Sequence, residues 1–106
     1  MELGRLASNG YAATRGFLRS HPGWGPVVEA CLALGRQCNG EFAGAWVLHE
    51  AQKSGVSWFP NLRSLVAAGI LRRVDVTRGG RRGYYVMLDP TGVEDALREK
   101  HSSSRA

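Results

Sequence analysis

The stretch from Ser57 to Leu88 reads SWFPNLRSLVAAGILRRVDVTRGGRRGYYVML, and its period changes part-way along. The first third repeats apolar residues at about 3.6-residue spacing, the mark of a helix, and the remainder alternates every second residue, the mark of paired strands. With Leu62 at the centre of a helical face and about 100° per residue, Trp58, Phe59, Leu65, Val66 and Gly69 fall near it. Ser57, Pro60, Asn61, Ser64, Ala67 and Ala68 fall on the opposite half, with Arg63 at the boundary. One side of a helix over 57–68 is therefore built for burial, and the other is small and polar, suited to close approach of a large partner. Gly69 supplies a left-handed helix end. Two strands follow, within 72–77 and 83–88, around Arg78-Gly79-Gly80-Arg81-Arg82, whose glycines allow positive φ and whose arginines are too crowded for a core.

Upstream, the pattern predicts two more helices. Pro26 suits a first helical position, and the run after it puts Val28, Cys31, Leu32 and Gly35 on one face, ending at Asn39-Gly40. The next helix places Phe42, Ala45, Trp46 and His49 at i, i+3, i+4 and i+7, with His49 expected to be partly buried, and closes at Lys53-Ser54-Gly55. Ser57 then reads as the N-cap of the third helix, with Pro60 in its first turn, where a missing N–H costs little. Downstream, Asp89-Pro90-Thr91-Gly92-Val93-Glu94 offers two helix starts, Asp89 capping with Pro90 first or Thr91 with Glu94 as a capping box, and the sequence leaves both open.

The run Leu62-x-x-Leu65-x-x-x-Gly69-Ile70-Leu71, an arginine-bearing turn and then Tyr84-Tyr85-Val86-Met87-Leu88 resembles the second half of a winged helix-turn-helix domain. Bacterial and archaeal transcriptional regulators of the MarR, ArsR and PadR kind carry this pattern, and the resemblance spans about residues 26–100. It implies an α+β fold with a three-helix core, a β-hairpin wing and a short C-terminal helix. It also implies a recognition helix over 57–68 in the DNA major groove and a wing over 72–88 on the minor groove or the backbone. Winged helices serve as protein-interaction modules too, so an adaptor without DNA binding is the alternative.

The flanks are less informative. Gly4, Gly10, Gly16, Gly23 and Gly25 make residues 1–25 read as a flexible or partly helical arm, with Trp24 as an anchor onto the core, and 101–106 reads as a disordered tail. At 106 residues and 43% hydrophobic content the chain suits one globular domain. No apolar run reaches membrane-spanning length, and the first residues lack the apolar core of a secretory signal, so a cytoplasmic protein with no membrane partner is expected.

Charge is distributed unevenly. Residues 1–50 balance Arg5, Arg15, Arg19 and Arg36 against Glu2, Glu29, Glu41 and Glu50, so the whole net charge of +5 lies in residues 51–106. Between Lys53 and Arg82 seven basic groups face Asp75 alone. A basic segment that coincides with a reading helix and a wing is the footprint of a polyanion binder. The candidate contacts are Ser57, Asn61 and Ser64 to base edges and Arg63 to a guanine edge or a phosphate, with Lys53 on the backbone and Arg78, Arg81 and Arg82 at the wing tip. One such module makes few contacts, so a homodimer on a two-fold site is expected.

Other chemistry finds little support. Cys31 and Cys38 are two helical turns apart, about 10 Å, too far for a disulfide and without metal-ligand spacing. His21, His49 and His101 are scattered, the glycine-arginine turn lacks a phosphate-loop ending, and no Ser, Cys or carboxylate has a catalytic neighbourhood. The reading is a non-enzyme with no cofactor and no metal. Two rivals to duplex binding use the aromatics. Trp58, Phe59, Tyr84 and Tyr85 suit a protein interface, whereas RNA stacking is limited to one of the two tyrosines, since neighbours on a strand point to opposite faces.

Overall fold

A computed structural model of the protein describes residues 2–38, 40–74 and 84–105. Its longest element lies where the composition suggested a flexible or partly helical arm: Glu2–Ser20 is one helix, α1. Gly10, Thr14, Phe17 and Leu18 are all buried, at i, i+4, i+7 and i+8, so α1 does have an inward face. Glycine and threonine at two of its four positions hide that face from an apolar count. A 3₁₀ turn at Pro22–Trp24 leads into α2, Gly25–Gln37, which buries Val27, Val28, Ala30, Cys31 and Leu34. Gly40, at φ 104°, turns the chain after it.

Glu41–Ala43 is a strand, β1, and not the start of the second helix. That helix, α3, runs Gly44–Lys53 and buries Val47 and Ala51. Because Phe42 belongs to β1, the helical face counted from it is rotated, and Trp46 and His49 are exposed rather than packed inward. Gly55, at φ 95°, makes the turn after α3.

The helix expected over 57–68 is much shorter: α4 spans Arg63–Ala67. Pro60 explains the difference. The ring clashes with helical geometry at the preceding residue, which pushes Phe59 toward extended backbone, and proline has no N–H to donate. Ser57 is consequently an exposed loop residue and not an N-cap. Helical hydrogen bonding starts at Asn61, whose carbonyl accepts from the Ser64 N–H at 2.9 Å. Gly69, at φ 84°, ends the helix as the sequence indicates.

β2, Leu71–Val74, and β3, Tyr84–Met87, pair antiparallel, and β1 adds to the other side of β3, giving the order β1-β3-β2. The register sets Glu41 and Arg72 opposite Val86, and Phe42 and Arg73 opposite Tyr85. Phe42, Leu71 and Met87 point into a core shared with Val27, Val28, Val47, Leu65 and Ile70. The last helix, α5, is Pro90–Arg105, so it runs on through residues expected to be a disordered tail. Its start resolves the choice left open above. Asp89 accepts the Gly92 N–H at 3.1 Å and its carbonyl accepts the Val93 N–H, so Asp89 caps the helix with Pro90 first. The other carboxylate oxygen accepts the Gly10 N–H at 3.1 Å, which ties α5 to α1. Among the described residues the fold is a compact α+β arrangement of five α-helices and a small three-stranded antiparallel sheet.

Candidate nucleic-acid interface

The chain between α3 and α4 is pinned by rings. Phe17 meets Trp24 edge-on at 5.1 Å, and Trp24 lies 5.2 Å from Trp58. Trp24 therefore anchors the core, as its place in a turn-rich linker suggests. Phe59, one residue further, is 80% exposed. An open groove of about 250 Å³ follows, lined by Gly44, Ala45 and Leu48 of α3, by Asn61 and Leu62, and by Tyr85 of β3. Tyr85 faces the helices and Tyr84 faces outward, so the two tyrosines serve different surfaces.

Asn61 and Arg63 sit beside this groove in the short segment that leads into α4. The Asn61 side-chain oxygen accepts the Arg63 backbone N–H at 3.1 Å, so it does the capping work that Ser57 was expected to do. An asparagine pairs with adenine through both its oxygen and its amide nitrogen. In Asn61 one lone pair of that oxygen is committed to the backbone. Asn61→Ala is expected to lower stability by about 1 kcal/mol in chemical denaturation, while Asn61→Asp, which keeps the cap, leaves it nearly unchanged. Ser64 lies half-buried on α4, and Lys53 is exposed and pairs with Glu50 at 3.2 Å. Arg78, Arg81 and Arg82 lie outside the described residues.

Among the described residues, the ion pairs made by arginine lie on α1, α2 and α5. On the side of α1, α2 and α5, Arg15 meets Glu99 at 3.1 Å, and Arg36 and Arg98 meet Glu94 at 2.7 and 3.5 Å. The hydrogen bond from Arg36, then its charge and that of Arg98, hold the Glu94 carboxyl below the ordinary carboxylate range. Arg63, Arg72 and Arg73 are exposed, and none of the ion pairs among the described residues involves them. Arg73 shares the face of Tyr85, beside the groove. Arg73 and Arg72 belong to the basic segment, but the sequence does not single them out. The signal that could have found Arg73 is the strand alternation, which sets it on the face of Tyr85.

Both cysteines are free, and burial pushes the Cys31 thiol up to about 12. A thiol held so far above neutrality is protonated and shielded. Native protein is expected to release one equivalent of thiol, from half-buried Cys38, to a colorimetric disulfide reagent at pH 8, and the second only after denaturation. Two fast equivalents would contradict this. Among the described residues no group of three or more His, Cys, Asp or Glu side chains is placed to hold a metal ion, and no helix is long and apolar enough to cross a membrane. Compared with protein-family models, with curated proteins and with solved structures, the chain gives no match.

Proposed function

We propose that this chain is a winged helix-turn-helix module that binds double-stranded DNA and acts as a small cytoplasmic transcriptional regulator. The observation that carries the reading is the position of its uncompensated charge. Arg63 stands two residues after Asn61 and Arg73 stands opposite Tyr85, both of which line the groove, whereas carboxylates partner the arginines of α1, α2 and α5 named above. Cations without partners on one face attract a polyanion, because binding to phosphates releases counterions. In this reading α4 approaches the major groove with Ser64 and Arg63, Lys53 and Arg73 contact phosphates, and the arginines at 78, 81 and 82 extend the contact along the backbone or the minor groove. The short α4 supports fewer base contacts than a full recognition helix would, so positioning by phosphates outweighs direct readout, and sequence preference is modest. Titration of a labelled duplex at several salt concentrations tests this, because affinity falls steeply with salt only if phosphates are neutralised.

A second reading draws on a different observation. Phe59, 80% exposed, projects from the loop before α4 beside Trp58, which packs on Trp24 yet keeps 39% exposure, and the pair suits an aromatic anchor for a protein partner. That adaptor would bind with little dependence on salt.

A further inference from the structure

We infer that the outward face of the three-stranded sheet is a homodimer interface, in which two copies stack face to face about a two-fold axis running along β3. The register identifies the face. With Phe42, Leu71 and Met87 pointing inward, the residues between them point outward in two cross-strand rows, Glu41-Val86-Arg72 and Ala43-Tyr84-Val74. Leu88, just past the end of β3, continues the central column and is 53% exposed. Trp46, 41% exposed, meets the Tyr84 ring edge-on at 6.0 Å and extends the patch beyond the strands. Half-buried Tyr84 and Val86 and exposed Leu88 thus form an outward apolar column along and just past the middle strand of a small sheet, a kind of surface that marks an interaction site.

The arrangement of charge selects a second copy as the occupant. In the row through Val86 a carboxylate stands on one edge strand and a guanidinium on the other, with the apolar column midway between them. A two-fold axis along β3 and above Val86 carries each column onto its counterpart and exchanges the two edges. Arg72 of each copy then faces Glu41 of the other, so the apolar centre is closed by an ion pair on either side. Such a contact is self-complementary, as a two-fold interface must be. It also has the form of an aligned sheet-on-sheet packing, with faces about 10 Å apart and strands within about 30°. Glu41 already has an interaction within its own chain, and a carboxylate with two oxygens accepts a further cation. A nucleic acid fits this face less well, because the two rows hold one carboxylate for one guanidinium around an apolar column and so carry no excess of positive charge. The inference does not depend on DNA binding, since Arg63 and Arg73 lie away from the outward rows and stay open in the dimer.

Sedimentation velocity of the full chain without DNA, over a broad concentration range, tests the inference directly. The expected result is a concentration-dependent monomer–dimer equilibrium. Leu88→Glu, outside the strands, and Glu41→Arg or Arg72→Glu, which set like charges across both seams, each raise the dissociation constant by at least about ten-fold. The double variant Glu41→Arg with Arg72→Glu exchanges the edges and restores dimerisation to within about three-fold of the parent. Circular dichroism confirms that each variant is folded, and because Leu88 lies outside the strands its variant carries the test if a strand variant does not fold. A folded parent that stays monomeric at every concentration would overturn the inference and leave the face to another partner. A dimer indifferent to Leu88→Glu would overturn it equally, placing the contact elsewhere.

Discussion

Gly10→Ala is expected to destabilise the protein by about 3 kcal/mol, the opposite of what helix propensity alone predicts. In an exposed helix, alanine in place of glycine stabilises by about 0.5–1 kcal/mol because the unfolded chain loses freedom. At position 10 an added Cβ would lie 2.4 Å from the Asp89 Cβ and 2.7 Å from its carboxylate oxygen. The nearest atom is not the free end of a flexible side chain. Moreover, the carboxylate is held at both oxygens, by the Gly10 N–H and by the Gly92 N–H that it caps. Asp89 cannot swing aside without uncapping α5, so α1 must shift away from α5. Thermal unfolding should show a midpoint lowered by roughly 12 °C, at about 4 °C per kcal/mol for a domain of this size. Gly16 is the internal control. It lies in the same helix with nothing within 4 Å of an added Cβ, so Gly16→Ala should raise the midpoint slightly. Adding Asp89→Gly to the Gly10 variant should recover much of the loss, because glycine caps a helix only slightly less well than aspartate. A Gly10 variant as stable as its parent would show that α1 does not pack so closely on α5.

Reversing two charges beside the groove, Arg63→Glu with Arg73→Glu, is expected to weaken duplex binding by about 100-fold at low salt. It should also flatten the dependence of log affinity on log salt by about 0.9 for each phosphate that is no longer neutralised. Net charge alone would reduce binding wherever the reversals were placed, so location is tested by a matched pair. Arg15→Glu with Arg98→Glu makes the same change in total charge on α1 and α5, where those side chains already pair with Glu99, Glu94 and Asp95. Losing exposed pairs of that kind costs little stability. The matched variant should bind within about three-fold of the parent, a small change in free energy. Equal weakening in both variants would reduce the interaction to nonspecific attraction and leave the groove with no part in it.

What could be read from the sequence, and what could not, follows from where the signals come from. Gly69, Gly55 and Gly40 were legible as punctuation, since each takes the positive φ that a turn needs. The hairpin was legible because Val74 and Val76 alternate with polar residues, two glycines follow, and Tyr84 to Met87 are strand formers; Leu71–Val74 and Tyr84–Met87 do pair antiparallel. Two neighbours of those signals were misread. Phe42 fits a helical period with Trp46 and His49 by coincidence, and what makes it a strand residue is pairing with Tyr85, more than forty positions away. Pro60 has a harmless place in a first turn on the helical reading, yet the constraint it puts on Phe59 moves the start of the helix to its far side. With that shift Ser57 became a loop residue and Asn61 took the cap. The α1–α5 packing was hidden for a different reason. It depends on the absence of a side chain at Gly10 and on Asp89, residues that carry no apolar signal and lie 79 positions apart.

The most direct test of the central claim is fluorescence anisotropy of a labelled mixed-sequence duplex titrated with the full chain at several salt concentrations. Duplex binding through the basic face predicts micromolar or tighter affinity at low salt, with log affinity falling linearly as log salt rises. No binding at low salt by a folded protein of net charge +5 would contradict it and move the search to a protein partner for Trp58 and Phe59.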